Sequence, residues 1–418
     1  MAVLGCIADD FTGASDAASF LVKGGMSVRL YNGVPETDRT GEMEEQAAVI
    51  ALKSRTQRRE GAVEDSLRAA RFLLKKGVKQ IYFKYCSTFD STPEGNIGPV
   101  ADALMELLGA PYTLLCPSLP VNGRIVEGGR LMVNGVPLDE SPMKNHPLTP
   151  MWDSRIEELI KPQSRYPAFV LKREELEGGS PKRFGNGPFY LIPDYRDEAD
   201  GEAIAKQFGG LPLLTGGSGL LEPLARRWAG ELENSGPARE TGTEGKALLL
   251  AGSCSKATLE QIRCYEESGG PCIKLDPEAM IEGTQTLDAV WEEAKAAENG
   301  SWPPLVYSSD TPERVKEYQK LGQERVAALL EDAAASLAAK AVEEGYTRII
   351  SAGGETSGAV TRRLGFSSYW RGESVARGVP VMTPAARPRL RLVLKSGNFG
   401  QRDFFRRAVQ MTGKEEEM

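Results

Sequence analysis

Short apolar runs alternate with amphipathic segments over residues 1–230. The run at 3–8 predicts a buried strand, and the small residues beyond it predict a helix from about 15 to 23. Further strands are predicted at 28–31, 47–52, 80–84, 112–116, 189–193 and 211–214, with helical spacing over 66–76 and 99–108. This βαβ rhythm implies a mainly parallel sheet covered by helices. Residues 121–150 are rich in Gly, Pro and Asn and read as an extended excursion carrying functional loops. The polar stretch 229–245 has no apolar period and reads as a linker. A second series then opens with a strand at 247–251, a turn and a helix over 256–267. One long amphipathic helix is predicted over 312–344, then strands at 348–351 and 390–395. The expected fold is α/β with two domains, each a mainly parallel sheet flanked by helices. Their expected spans are 1–230 and 246–418, joined by a linker at 231–245.

Chemistry concentrates where strands break. The first strand runs into two adjacent carboxylates, Asp9 and Asp10, followed by Thr12 and Gly13. Ligands of open α/β sheets bind beyond the carboxyl ends of the strands. Two acids there are costly to fold, because they repel and both lose solvent. Lys53-Ser-Arg55 also follows a strand, and Arg55 has the fork that fits a carboxylate. Lys84 is followed by Ser87, Thr88, Asp90, Ser91 and Thr92, a cation with several hydroxyls suited to a polyhydroxylated acid. The competing reading is that these residues cap the next helix. Arg124 is another candidate cation, and Gly216–Gly219 another anion turn, although its place near the linker favours a structural role. His146 is the one histidine, which leaves little room for Ser-His-Asp or His-metal chemistry. It lies in a turn-forming segment and is expected to be structural.

Three later strands end in Gly/Ser loops: Gly252-Ser-Cys-Ser255, Gly353-Gly-Glu-Thr-Ser-Gly358 and Ser396-Gly-Asn-Phe-Gly400. Glycine admits close backbone approach, and a following helix offers free N–H groups, so the set suits a phosphate chain. Neither a Walker A sequence nor GxGxxG occurs. Glu355 is equally suited to a metal, a ribose or the loop itself.

Composition narrows the partners. Apolar residues make up 41% and charged residues 26%, as in soluble globular proteins, and the net charge is −7. A negative chain disfavours nucleic acid and anionic membrane surfaces. The six scattered cysteines lack a CxxC pair, which points away from disulfides or zinc and toward a reducing cytoplasm. No signal peptide is evident, no apolar run reaches the ~20 residues of a membrane helix, and the sequon at 299–301 is read as chance.

Four motifs together carry a resemblance. Asp9-Asp10-Phe-Thr-Gly-Ala-Ser-Asp16, the Lys84 to Thr88 segment, the Gly353 loop and the Gly397 loop resemble the four-carbon acid sugar kinase family. The segment from Lys84 through Phe89-Asp90 to Asn96 and His146-Pro-Leu-Thr-Pro-Met151 are most similar to its 3-oxo-tetronate kinase branch. The resemblance implies an N-terminal domain that binds the sugar acid and a C-terminal domain that binds ATP with Mg²⁺. It implies γ-phosphoryl transfer to the terminal hydroxyl, with domain closure excluding water. Asp10 or Asp9 is the expected base, with Thr12, Gly13, Arg55, Lys84, Ser87 and Thr88 on the acid. Ser255 (or Ser253), Gly353, Gly354, Glu355, Thr356 and Gly397 or Gly400 are expected on the nucleotide; metal ligands are not assigned. The alternatives are a threonate or erythronate kinase, a nucleotide-dependent dehydrogenase, or a non-catalytic sugar-acid sensor. Exposed helices on such a sheet are compatible with a homodimer.

Overall fold

The computed structural model describes residues 2–35, 44–145, 149–176, 184, 187–231, 241–298, 302–376 and 378–414. His146, the sequon, and residues 232–240 of the expected linker lie outside them. The chain divides into two compact units, Met1–Pro237 and Ala238–Met418.

In the first unit, five parallel strands lie in the order Leu213–Gly216, Gln80–Lys84, Leu4–Ala8, Ala47–Ala51, Val28–Asn32. Leu4–Ala8 is central and every residue in it is buried, which is why it reads as an unbroken apolar run. Ala8 is level with both Lys84 and Ala51. The segments that follow these three strands therefore emerge side by side at one edge. A second parallel sheet joins Tyr112–Leu114, Phe189–Pro193 and Ala168–Leu171. The expected excursion at 121–150 holds a small antiparallel meander of Arg124–Glu127, Arg130–Val133 and Val136–Pro137.

The second unit has the order Ser368–Ala376, Val379–Pro384, Arg391–Lys395, Arg348–Ala352, Ala247–Ala251, Leu305–Tyr307, Cys272–Lys274. The last five are parallel neighbours, and the first two are antiparallel additions that the apolar pattern did not reveal. Ala251, Ala352 and Lys395 are level across three adjacent strands, so the three glycine loops leave the sheet together.

Three expected helices change, and the one expected over 66–76 begins seven residues earlier, at Arg59. The helix predicted from about 15 starts at Phe11, because the Asp10 carboxylate accepts the Gly13 N–H and caps it. The long helix predicted over 312–344 is two helices, Pro312–Gln319 and Gln323–Glu343. Gly322 between them has φ +104°, a conformation that other residues resist and that ends helical geometry.

Candidate functional site

Asp9 continues the line of the first strand. Its N–H donates to the Lys84 carbonyl at 3.0 Å, and its carbonyl accepts from Ser54 N at 3.0 Å and Arg55 N at 3.3 Å. Three loops are thus stitched together by main chain. The side chains follow. Arg55 grips Asp9 in bidentate fashion, Nε to Oδ2 at 2.8 Å and Nη2 to Oδ1 at 2.9 Å. The same guanidinium reaches Asp10 Oδ2 at 3.1 Å and stands 4.0 Å from Asp90 Oδ2.

The two acids are therefore unlike each other. Asp9 is 5% exposed, and burial pushes its pKa up, opposed by Arg55 and reinforced by Asp10. Burial rather than like-charge repulsion is the first cause. Burial also works against the Arg55 cation, yet Asp9 and then Asp10 outweigh it and hold the guanidinium above its ordinary range. The Asp10 side chain is 34% exposed, with one oxygen on the Gly13 N–H at 2.6 Å and the other facing Arg55.

Lys84 is buried, and its ammonium donates to the Tyr85 carbonyl at 2.8 Å. A Cβ on Gly13 would overlap Asp10 Oδ1 and lie 3.2 Å from Lys84 Nζ. Gly13 is bare because two charged groups close over the first helical turn. Thr12 is exposed in that turn.

Thr88 does not cap a helix. Its hydroxyl donates to Asp90 Oδ1 at 2.6 Å, and the next helix starts only at Ile97 with no side-chain cap. Phe89 between them is buried and has φ +52°, a strained conformation for a bulky residue. Ser87 packs against Gly217, and Ser218 in the same turn donates to Asp16 of the first helix at 2.5 Å. Lys53 is exposed. Arg124 lies in the antiparallel meander, where its guanidinium turns to the Asn122 carbonyl.

Asn96 closes the segment that begins at Lys84 but is not among the expected site residues. Its Nδ2 donates to the carbonyls of Ser54, Arg55 and Gln57, at 2.8, 3.4 and 2.8 Å, which holds Arg55 in place.

In the second unit the three glycine loops share their contacts. Ser255 caps Lys256–Glu267 by accepting the Thr258 N–H, and its hydroxyl donates to the Gly397 carbonyl at 2.7 Å. Ser253 Oγ accepts the Ser255 N–H at 3.2 Å. A Cβ on Gly397 would collide with Ser253 Oγ, so the first and last loops touch only because this residue is glycine. Gly353, at φ +132°, starts the helix Gly354–Leu364, which no side chain caps. Gly354 and Glu355 are exposed there, whereas Thr356 is buried against Gly252 and Gly353. A bare helix start is a place for an anion. Gly400, at φ +84°, lies against Phe404, and Gln261 Nε2 donates to the carbonyls of Phe399, Gly400 and Gln401.

Lys395 escaped the sequence reading. It ends its strand just before a Gly/Ser loop, as Lys84 does before its own loop, and that shared position was the available signal. Among the described residues no group of three or more His, Cys, Asp or Glu is placed to hold a metal. No described helix is long and apolar enough to cross a membrane.

Comparison with known proteins returns matches across the chain. A family model described as a sugar-binding N-terminal domain matches residues 4–224, and one described as a nucleotide-binding C-terminal domain matches 248–405. A Brucella melitensis protein named 3-oxo-tetronate kinase is 41% identical over 99% of this chain and 96% of its own length. A Haemophilus influenzae protein of the same name is 41% identical, over 98% of this chain and 100% of its own. A crystal structure of a Haemophilus influenzae protein superposes with a TM-score of 0.89 at 40% identity, covering 97% of this chain and 99% of that one. One from Salmonella typhimurium reaches 0.88 at 38% identity, covering 98% and 99%.

Proposed function

This chain belongs to the four-carbon acid sugar kinase family, and from that membership we propose that it transfers the γ-phosphoryl group of ATP to the C4 hydroxyl of 3-oxo-tetronate. The product is 3-oxo-tetronate 4-phosphate. The observation that carries the reading is the pairing of an Asp-Asp-Arg-Lys cluster in the sugar-binding unit with three convergent glycine loops in the nucleotide-binding unit.

Phosphoryl transfer asks for positioning and charge neutralisation more than for covalent chemistry. Asp10 is the base in this proposal. It keeps one oxygen on the Gly13 N–H, so its orientation is set, and it is the more exposed of the pair. The O4–H proton passes to Asp10, the O4–Pγ bond forms, the bond from Pγ to the bridging oxygen breaks, and ADP leaves. Asp9 is the orienting acid, locked by Arg55. Arg55 is already engaged by Asp9, Asp10 and Asp90, which leaves Lys84 as the principal cation for the substrate carboxylate. Thr12, Gly13, Ser87 and Thr88 supply polar groups from the neighbouring turns.

On the nucleotide side, the N–H groups of Gly354, Glu355 and Thr356 face the phosphates, Gly353 lets the chain turn into that helix, and Ser253, Ser255, Gly397 and Gly400 shape the opposite wall. Mg²⁺ bound together with ATP would neutralise charge on its phosphates. Glu355 is the one carboxylate within the three glycine loops and is exposed at a helix start, which fits a ligand to a largely hydrated ion.

Coupled ADP release with a panel of four-carbon acids tests the proposal. Turnover should be highest with 3-oxo-tetronate and lower with threonate and erythronate. A preference for either of those acids overturns the substrate, and absence of ADP release with every acid overturns the kinase.

A further inference from the structure

Lys395 is 1% exposed, and it contacts two of the glycine loops and the helix that follows the third. Its carbonyl accepts the Gly353 N–H of the middle loop at 2.8 Å. Its ammonium donates to the Gly397 carbonyl at 2.9 Å and the Ser396 carbonyl at 3.2 Å in the last loop. The third donor goes to Thr258 Oγ1 at 2.9 Å, in the helix that the first loop starts. Thr258 and Ser255 each donate to the same Gly397 carbonyl, at 2.9 and 2.7 Å. Three donors, two from one capped helix and one from a strand end, thus converge on one main-chain oxygen.

A buried ammonium normally has a carboxylate partner. This one has neutral acceptors and the Phe404 ring, whose centroid lies 5.5 Å from Nζ. No ion pair to it exists among the described residues. The side chains that touch it or its carbonyl from the packed helices are Thr258, Ser357 and Phe404, all uncharged. The nearest charged residues at the starts of those helices are Lys256, Glu355 and Asp403. Lys256 and Glu355 are exposed, and none of the three pairs with Lys395.

We propose that Lys395 is a positioning residue that locks the three phosphate-binding loops together, and that its missing counter-charge is supplied by the nucleotide's phosphates, so that nucleotide binding is coupled to proton uptake. The inference rests on the nucleotide reading above. Its physical consequence follows from desolvation, which lowers the ammonium pKa from 10.5 to about 8. Near pH 8 roughly half of the unliganded molecules hold a neutral amine. A polyanion nearby favours the ammonium, so binding draws in a proton, and affinity weakens as pH rises through about 8.

Titration calorimetry of the whole chain with Mg-ATP, in buffers of different ionisation enthalpy, measures that proton. Uptake should be close to zero at pH 6.5, about half a proton at pH 8 and larger still at pH 9. Protonation of the nucleotide itself has the opposite trend, since phosphate proton uptake fades above pH 7. Lys395→Met should abolish the uptake and weaken ATP binding roughly tenfold or more, while the KM for the acid moves less than about twofold. Lys395→Gln, which keeps donors without the charge, should also lose the uptake. If both variants fail to fold, the wild-type pH series alone decides. ATP binding without buffer-dependent heat at pH 8, or uptake that persists in either variant, overturns the role of Lys395. Absence of ATP binding in the wild type overturns the nucleotide reading itself, a separate result.

Discussion

An alanine at position 13 would put its Cβ against Asp10 Oδ1, nearer than carbon and oxygen approach in real structures, and 3.2 Å from Lys84 Nζ. The Asp10 carboxylate would have to retreat by roughly half an ångström or more. It would lose the Gly13 N–H, now held at 2.6 Å, and with it a helix cap worth about 1 kcal/mol. Alanine is better than glycine in a helix by up to about 1 kcal/mol, less in a first turn. The two effects nearly cancel, and melting should shift by no more than about 4 °C in a unit of this size. Catalysis has no such offset. A misplacement near 1 Å at a reacting group costs about a hundredfold, so kcat should fall between roughly 10- and 100-fold. Coupled ADP release reads kcat, calorimetry with ATP reads nucleotide binding, and a melting curve reads the fold. A folded Gly13→Ala variant with wild-type kcat would refute the placement of the base by this cap, and so would an equal loss of ATP affinity.

Asp10→Asn should abolish turnover and leave ATP binding intact; a near-normal rate moves the base elsewhere. Arg55→Ala strands Asp9 in a 5% exposed position without its cation, so stability should fall by about 3 kcal/mol in denaturant titration, and Arg55→Lys should not restore it, for lack of the bidentate fork. Gly397→Ala drives a Cβ into Ser253 Oγ; the KM for ATP should rise roughly tenfold or more with that for the acid nearly unchanged, and the opposite split counts against the nucleotide assignment. Cys254 is exposed between Ser253 and Ser255, whereas Cys6 and Cys116 are buried and burial pushes each thiol up to about 12. Alkylation at pH 8 followed by peptide mapping should mark Cys254 first, with ATP slowing it, and should spare Cys6 and Cys116 until the protein unfolds; indifference to ATP places the nucleotide elsewhere.

The strands that carry the site and the loops after them are local features legible in the chain, whereas the strands at 168–171, 272–274, 305–307, 368–376 and 379–384 were not. An apolar run such as 3–8 must be buried whatever its neighbours, and a Gly/Ser break after it must be a loop. Asp9, Asp10, Lys84 and the three glycine loops could be picked out on that basis. Helix ends were less legible, because the start at Phe11 depends on where the Asp10 carboxylate points, and the break at Gly322 depends on a backbone angle. What depended on the tertiary structure was pairing. Arg55 meets Asp9 across 46 positions of sequence because two parallel strands are level, and this gives a cation expected on the substrate a bidentate partner in the first acid. Lys395 meets Thr258 across 137 positions for the same reason. Periodicity records which face of an element is buried, but which polar groups are brought together is decided by sheet order and register. The sequence by itself therefore determined that acids, cations and glycine loops stand at strand ends, while the fold decided which of the two acids is locked and which lysine ties the glycine loops together.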